Sequence, residues 1–142
     1  MLIAVLADTH DVLSPRLPHA FAGADEIWHL GDICKPGTLD PLWALNIPMQ
    51  IVRGNNDDGA GLRKVINITR EGFTIRLVHF PSEKDLFGVD LLFHGHTHTP
   101  YSWDHIFNPG SASEPRCGYP ASYAWLELQR NQPPKWKIVS LE

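Results

Sequence analysis

The amino-terminal part of the chain alternates apolar runs of strand length with polar segments and short amphipathic stretches. Leu2 to Ala7, Glu26 to Leu30 and Met49 to Arg53 predict three buried strands. Arg16 to Ala22 predicts a short helix after the first strand, and Thr38 to Leu45 predicts a second helix after the next one. Strands that alternate with helices are typical of an open α/β sheet, whose ligands bind outside the carboxyl ends of the strands.

After residue 60 helical patterns become scarce and strand patterns dominate. Val65 to Thr69 and Phe73 to Val78 flank a Glu-Gly turn, which indicates an antiparallel hairpin. Leu91 to Phe93 predicts another buried strand, and we expect Tyr101 to Phe107 to form one strand beside it.

Two further strands close the chain, Tyr123 to Leu128 and Lys135 to Val139, with Asn131 to Pro134 as the turn between them. Asn108 to Ala121 is rich in proline, glycine and serine, which predicts a long loop. An α/β first half followed by a strand-rich second half predicts two sheets packed face to face with helices outside. We expect one domain, spanning residues 1–142.

The composition narrows the classes of partner. The chain has 142 residues, of which 43% are hydrophobic, and a formal net charge of -4. This acidic balance offers no strong nucleic-acid signal and favours a small substrate. No apolar stretch approaches the roughly 20 residues that span a bilayer, so we expect no membrane association. The first apolar run lacks a basic flank and ends at Asp8, so we expect no secretion signal and a cytoplasmic location.

Eight histidines stand out in so short a chain, and most lie beside aspartate or glycine at the ends of apolar runs. The two cysteines, Cys34 and Cys117, are far apart and have no C-x-x-C spacing. We therefore expect two free thiols, and neither a disulfide nor a thiolate metal site. The candidate chemistry lies with the histidines and carboxylates.

Metal-ligating side chains follow five of the predicted strands. The clusters are Asp8-x-His10, Gly31-Asp32, Gly54-Asn55-Asn56-Asp57, His79 and His96-x-His98. Taken singly, the first three also fit ordinary turns, and His79 also fits a buried structural histidine. In extended backbone residues i and i+2 point to one side, so Asp8 and His10 could bind one ion, and His96 and His98 would present two imidazoles on one side of the strand end. Their joint occurrence at five strand ends favours one metal site over coincidence.

The ordered set D-x-H, G-D, G-N-x-D, H and G-H-T-H resembles the calcineurin-like metallophosphoesterase superfamily. The resemblance covers roughly Met1 to Gly110, and His29 to Asp32 with Asn108 to Ser111 make it most similar to the small bacterial and archaeal phosphodiesterases. It implies a four-layer α/β/β/α sandwich of two mixed sheets flanked by helices. One metal would be held by Asp8, His10, Asp32 and His98, and the other by Asp32, Asn55, His79 and His96.

By the same resemblance, two divalent ions bridged by Asp32 would activate a hydroxide for in-line attack on a phosphodiester. Asp32, Asn55 and Asn56 would then lie at the catalytic centre. Ligation by carboxylate, amide and imidazole without thiolate fits Mn, Ni, Zn, Fe or Co, and the resemblance favours Mn. His29 and His94 are expected to support ligands or pack, because both coordination sets are already filled.

The chain departs from the superfamily pattern at three places. Asn56 stands where many relatives have a histidine that protonates the leaving group, and an amide has no proton to give, which favours diesters. Asp57 and Asp11 are carboxylates that could substitute as acid or base, and Asp11 replaces a common glycine. The interval from His79 to His96 is short and begins with Phe80-Pro81, so we expect a reduced lid and an open site.

Arg53 and Arg116 are candidate phosphate contacts, with surface or structural pairing as the alternative for each. The leading hypothesis is a hydrolase of small phosphodiesters. The alternatives are a metal-binding scaffold of the same fold, similar to a retromer subunit, and a phosphomonoesterase. Exposed edge strands in the carboxyl-terminal half also predict a possible homodimer.

Overall fold

Two five-stranded mixed β-sheets build the described part of the chain. The computed structural model describes residues 1–57, 61–116 and 118–141. The first sheet has the order β10-β9-β1-β2-β3. Its strands are β1 (Leu2–Leu6), β2 (Glu26–His29), β3 (Met49–Ile51), β9 (Ser122–Glu127) and β10 (Lys135–Ser140). β1, β2 and β3 are parallel, so their carboxyl ends meet at one edge, as the sequence predicts.

The second sheet has the order β4-β5-β6-β8-β7. Its strands are β4 (Val65–Arg70), β5 (Phe73–Val78), β6 (Leu91–Phe93), β7 (Tyr101–Trp103) and β8 (Ile106–Asn108). β4 and β5 form the predicted antiparallel hairpin, whereas β5, β6 and β8 are parallel neighbours. This parallel trio has no local sequence signal, and it brings the residues after β5 and β6 to the same edge.

Alternate side chains along β1 and the residue after it face two different hydrophobic cores. Ile3, Val5 and Ala7 face the core between the sheets, while Ala4 and Leu6 face the core under the helices. All five side chains are fully buried. A strand buried on both faces reads as a continuous apolar run, which is why its burial was visible in the sequence.

Aromatic residues fill the core between the sheets. The ring of Phe93, at the end of β6, lies 5.3 Å from Trp28, 5.0 Å from Phe107 and 5.6 Å from Trp136, measured between ring centroids. Such pairs contribute about 0.5–1.5 kcal/mol each beyond the burial of their area. The packing anchors the strand that leads into the His94-to-His98 segment.

Two short helices cover the outer face of the first sheet, α1 (Arg16–Phe21) and α2 (Asp40–Trp43). The single helix predicted over Thr38 to Leu45 is wrong in detail, because Pro36–Leu39 forms a 3-10 turn before α2 begins. Trp43, the last residue of α2, is half exposed. Proline at the start of each short segment favours this division, since proline lacks an N–H donor and suits a first turn.

The predicted single strand from Tyr101 to Phe107 is also wrong. β7 and β8 form a hairpin that turns at Asp104, whose φ of 55° is left-handed. On the outside of the second sheet, the helical layer described is one 3-10 helix, Glu83–Leu86. It is held there because Arg76 Nη1 donates hydrogen bonds to the carbonyl groups of Asp85 and Phe87. This agrees with the short interval noted in the sequence.

Among the described residues, no helix is long and apolar enough to cross a membrane. Strands β3, β10, β4 and β7 form the outer edges of the sheets. A homodimer through these edges stays a prediction, as does the single-domain interpretation. Of the two cysteines, Cys34 is a free thiol, and Cys117 lies outside the described residues.

Candidate metal centre

Five loops meet where the carboxyl edges of the two sheets face each other. Backbone bonds tie neighbouring loops together, from Asp8 N to Gly31 O at 2.9 Å and from Gly95 N to His79 O at 2.9 Å. Other bonds cross between the sheets; for example, the backbone N–H of His96 donates to Asp8 Oδ2 at 3.0 Å. Side chains distant in the sequence therefore converge on one small volume.

The site residues adopt an unusual backbone conformation. The φ angles are 55° at Asp8, 45° at His10, 62° at Asp32, 72° at His96 and 60° at His98. Left-handed non-glycine residues are uncommon and strained, and they cluster where function requires them. The expectation of extended backbone was wrong, because the spaced pairs converge through left-handed turns.

The first group that could hold a metal ion consists of Asp8, His10 and His98. His10 Nε2 lies 3.9 Å from Asp8 Oδ1 and 3.3 Å from His98 Nε2, and His98 Nε2 lies 3.7 Å from Asp8 Oδ1. Two imidazole nitrogens and one carboxylate oxygen thus face the same point. This is a mixed nitrogen and oxygen donor set of the kind that divalent transition metals prefer.

The second group consists of Asp32, His79 and His96. His79 Nε2 lies 3.4 Å from Asp32 Oδ2 and 3.2 Å from His96 Nδ1. Asp32 Oδ2 also lies 3.6 Å from His10 Nε2, which belongs to the first group. The Asp32 carboxylate therefore lies between the two groups, in the position of the predicted bridge.

The environment of the Asp8 carboxylate indicates whether a cation fits in this cluster. Its Oδ1 atom is buried and has no hydrogen-bond partner. Burial, followed by the nearby charge of Asp32, raises the pKa of Asp8 to about 8. A buried carboxylate oxygen without a partner is costly, and a cation beside it removes that cost. The residues present fit a divalent metal.

Asn55 gives a second test. The amide atom that faces the cluster lies 2.8 Å from His79 Nε2 and 3.2 Å from Asp32 Oδ2. An amide oxygen in this place meets only lone pairs, whereas an amide nitrogen would donate to them. A cation at this point would favour the oxygen orientation, in which Asn55 could serve as a neutral ligand beside the second group.

Two histidines are held in the tautomer that ligation requires. His79 Nδ1 donates to the carbonyl of Leu30 at 2.8 Å, and His98 Nδ1 donates to the carbonyl of Glu114 at 3.2 Å. In each ring the remaining nitrogen, Nε2, then presents a lone pair to the cluster. Burial lowers the pKa of both histidines, which keeps them neutral and able to coordinate.

Asp57 organises the loops without facing the cluster. Its carboxylate accepts four backbone N–H bonds, from Asp32, Ile33, Cys34 and Gly54, at 2.8 to 2.9 Å. Burial alone would raise its pKa, but these hydrogen bonds lower it. These contacts argue against Asp57 as a catalytic acid, because that role needs a protonated carboxyl group.

The other two polar candidates also have structural contacts. Asn56 donates to both oxygens of Asp32, through its backbone N–H at 2.9 Å and its Nδ2 at 3.0 Å. Asp11 accepts the backbone N–H of Lys35 at 2.7 Å and is exposed. A catalytic role for Asn56 stays a prediction, and its contacts show how it would orient the shared carboxylate.

His29 and His94 lie outside both groups. His29 is fully buried, its Nδ1 accepts the backbone N–H of Gly31, and its Nε2 donates to Thr9 Oγ1 at 3.1 Å. Burial lowers its pKa to about 3, so it stays neutral. His94 Nδ1 donates to the carbonyl of Gly95 at 2.9 Å. Both roles agree with the expectation that these residues support the site.

The loop after β8 holds residues that the sequence did not assign to the site. Ser111 Oγ and Ser113 Oγ donate to the carbonyl of Asp8 at 2.8 and 2.9 Å. Buried Asn108 donates to the carbonyl of Gly95 at 3.1 Å, which orients the turn before His96. The Asn-Pro-Gly-Ser segment was a signal of the family but gave no hint of these partners.

Close packing explains one glycine of the motifs. A Cβ atom at Gly54 would lie 2.2 Å from both the backbone N and the Oδ1 of Asp32. No side chain fits there, so the Asn55 loop can approach Asp32 only through glycine. The G-N-x-D motif thus couples the ends of β2 and β3.

A groove of about 350 Å³ opens beside the second group. Its lining residues are Arg53, Gly54, Asn55, Lys64, His79, Phe80 and His96. Arg53 is thereby placed near the site, with Nε donating to the carbonyl of Asp57 at 3.2 Å. Arg116 does not line this groove; it forms an ion pair with Glu114 at 3.9 Å. Burial has the largest effect on the pKa of Asp8 and raises it, while the charge of Arg116 lowers it. Lys64 was missed because it lies in a segment without a motif.

The comparisons with known proteins agree with this geometry. The sequence model of the calcineurin-like phosphoesterase superfamily domain matches residues 1–131. The chain belongs to this superfamily. The family match confirms the resemblance seen in the sequence. The structure confirms the two mixed sheets expected of that family. For this superfamily divalent metal ions are implied, and the two side-chain groups provide places for them.

One curated relative and two solved structures are similar to this chain. The probable metallophosphoesterase MJ0623 of Methanocaldococcus jannaschii is 34% identical, with 82% of this chain and 71% of that protein covered. YfcE, a phosphoesterase from E. coli, has a TM-score of 0.77 at 26% identity over 100% of both chains. Wild-type Vps29 from Entamoeba histolytica, in complex with zinc, has a TM-score of 0.76 at 22% identity over 98% of each chain, which is a likeness of fold.

Proposed function

We propose that this protein is a dinuclear metal-dependent phosphodiesterase. The observation that carries the proposal is the Asp32 carboxylate, which lies 3.6 Å from His10 Nε2 in one donor group and 3.4 Å from His79 Nε2 in the other. The ligands of one ion would be Asp8, His10, Asp32 and His98, and those of the other Asp32, Asn55, His79 and His96. A shared carboxylate is the arrangement expected of a pair of ions that act on one phosphate.

When bound, the two ions supply Lewis-acid polarisation of the phosphoester and lower the pKa of water. The protein supplies orientation. Asp57 holds the backbone of Asp32 and Gly54, and Asn56 holds the carboxylate oxygens of Asp32. The serine hydroxyls of the β8 loop hold the carbonyl of Asp8, which limits movement of its left-handed turn.

The preference for diesters follows from the side chains near the shared carboxylate. Asn56 cannot release a proton, and hydrogen bonds from four backbone amides keep Asp57 ionised. A positioned general acid typically contributes about 10²- to 10⁴-fold. Without one in this place, the enzyme should favour esters whose leaving group departs without early protonation. It should therefore cleave activated diesters better than monoesters.

Manganese is the proposed ion, with Ni, Zn, Fe and Co as alternatives. The donor set combines imidazole nitrogens with carboxylate and amide oxygens and includes no thiolate among the ligands proposed. Such a set accepts several divalent transition metals, and availability decides among them. Elemental analysis of protein purified without chelator would identify the ion.

The test begins with metal-free protein. Mn, Ni, Zn and Mg are added back separately, and cleavage of bis-p-nitrophenyl phosphate and of p-nitrophenyl phosphate is measured. We expect metal-dependent turnover, with the diester preferred. Asp32→Ala should remove activity and most bound metal, whereas Asp90→Asn, at an exposed carboxylate that accepts the backbone N–H of Thr74 outside both donor groups, should change neither. Absence of turnover with every metal would refute the enzymatic proposal, and faster monoester cleavage would refute the diester preference.

A scaffold function is the second candidate, favoured by the likeness of fold to the zinc complex of Vps29. In that case the groups would bind metal without turnover of either ester. The exposed Tyr101 and Trp103 on edge strand β7 would then be part of the contact surface. Metal binding with no hydrolysis, together with stable capture of a protein partner that Trp103→Ala abolishes, would support this candidate.

A further inference from the structure

Phe80 occupies an unusual place beside the second donor group. It directly follows the proposed ligand His79, yet 59% of its surface is exposed. Its ring centroid lies 4.8 Å from that of His96, with an angle of 45° between the ring planes, and 6.4 Å from that of His94. One side of the ring is therefore supported by imidazoles, and the remainder is open to the groove. The exposed part of the ring offers a flat apolar surface on which a planar ligand can stack.

Two cations share this groove. Arg53 and Lys64 are both exposed and both line it, together with Phe80 and the donors of the second group. Among the described residues neither of them takes part in an ion pair, although Arg53 Nε donates to the carbonyl of Asp57. In a chain with a net charge of -4, this is a local concentration of positive charge next to the metal centre.

We infer that the groove is a base-binding subsite and that the substrate is a nucleotide-type phosphodiester. The aromatic base stacks on Phe80, while Arg53 and Lys64 bind anionic oxygen atoms of the phosphate-bearing part. The charge of the groove complements a phosphate, and its exposed ring complements a planar heterocycle. This inference rests on the proposed function and names the substrate class of the same site.

The chemistry of such a substrate balances with water alone. Hydrolysis breaks one P–O ester bond, adds the hydroxyl of water to phosphorus, and transfers a proton to the departing ribose oxygen. No oxidant, reductant or group donor is needed. A nucleoside 2′,3′-cyclic phosphate satisfies these requirements and keeps the base and the phosphate in one small molecule.

The kinetic test isolates the base. The manganese-loaded protein is assayed with adenosine 2′,3′-cyclic phosphate and with 1-O-methylribose 2,3-cyclic phosphate, which has the same ribose and cyclic phosphate but no base. We expect kcat/KM to be about 10-fold or more higher for the nucleotide, in line with the contribution of one base stacked on an aromatic side chain. Phe80→Ala should remove this preference mainly through KM, and Phe80→Trp should keep it.

Matched controls separate stacking from general effects. Phe87→Ala changes an equally exposed phenylalanine that does not line the groove, and it should leave both substrates unaffected. Lys64→Ala should lower kcat/KM for the nucleotide. Arg63→Ala changes the neighbouring exposed cation, which does not line the groove, and should leave kcat/KM unchanged. Equal kcat/KM for the two cyclic phosphates, or an equal loss for both in Phe80→Ala, would overturn the inference.

Equilibrium binding decides the inference even without turnover. Calorimetry compares AMP with ribose 5-phosphate on wild-type and Phe80→Ala protein. We expect the wild type to bind AMP about 10-fold more tightly than ribose 5-phosphate. The Phe80→Ala variant should bind the two compounds equally. If no ester is hydrolysed but AMP shows this difference, the proposed function fails and the subsite stands. If esters are hydrolysed but AMP and ribose 5-phosphate bind alike, the subsite fails and the proposed function stands.

Discussion

The backbone N–H of His96 donates to Asp8 Oδ2 at 3.0 Å and so joins the edges of the two sheets. This bond occupies one oxygen of the Asp8 carboxylate. The other, Oδ1, is buried without a partner and faces His10, His79 and His98 at 3.7 to 3.9 Å. One residue thus connects the two halves of the fold and presents a free acceptor to the proposed metal.

Asp8 makes the stability of metal-free protein depend on pH. Its pKa is raised from 3.8 to about 8 in the folded chain, so between these values the folded state holds a proton that the unfolded state has lost. The free energy of unfolding should therefore fall as the pH rises from about 4 to about 8, by at most about 1.4 kcal/mol per pH unit. Chemical denaturation at several pH values in chelator measures this slope.

The matched variant is Asp8→Asn, which keeps the size of the side chain but carries no charge. Without metal it should be more stable than the wild type at pH 8, and it should gain little when metal is added. A metal-free wild type whose stability is flat or rises over this pH range would contradict the assignment of Asp8.

Asp57→Asn should weaken the metal centre without changing a ligand. An amide offers one oxygen in place of a carboxylate, so some of the four backbone N–H groups lose their acceptor. We expect a loss of about 3 kcal/mol in the free energy of unfolding and a 10- to 100-fold weaker metal affinity. Urea denaturation and competition with a chelating dye measure the two effects.

Asp11→Asn is the control for that change, because exposed Asp11 accepts a single backbone N–H, from Lys35. It should shift stability by less than about 1 kcal/mol. Equal effects of the two substitutions would show that Asp57 has no special role in holding Asp32 and Gly54.

Gly54→Ala should disrupt the coupling of β2 and β3. The added Cβ would lie 2.2 Å from the backbone N and the Oδ1 of Asp32, so the backbone of Asp32 or of Gly54 would have to shift. We expect a loss of about 3 kcal/mol in stability together with loss of metal binding. Gly23→Ala has open space around the new Cβ and should be neutral. Thermal melts with and without metal compare the pair.

Asn56→His introduces an imidazole beside the Asp32 carboxylate, where Asn56 now donates its Nδ2 hydrogen bond. We expect unchanged metal content and a rise of about 10-fold or more in monoester turnover, because an imidazole can protonate the leaving oxygen. Asn56→Ala should not produce this gain, although it also removes the Nδ2 bond to Asp32. The ratio of kcat for monoester and diester in the three proteins measures the effect, and a gain in both variants would rule out acid catalysis by the histidine.

The strands and the candidate ligands were predictable because their signals are local. The continuous apolar run of β1 indicates a strand buried on both faces. The polar residues Asp8 and His10 directly after it indicate where the strand ends. The helix at Thr38 and the strand at Tyr101 were misread, since short 3-10 turns and two-strand hairpins depend on packing more than on periodicity.

The candidate donors could be recognised in the sequence, because residue type and order along the chain are local properties. Their convergence depends on the packing of distant segments. The left-handed turns at Asp8 and His96, and the bond from Ser113 to Asp8 across 105 positions, arise from contacts between chain segments that no local pattern encodes. The same holds for Phe80, whose exposure beside His96 exists only because parallel β5 and β6 end at one edge.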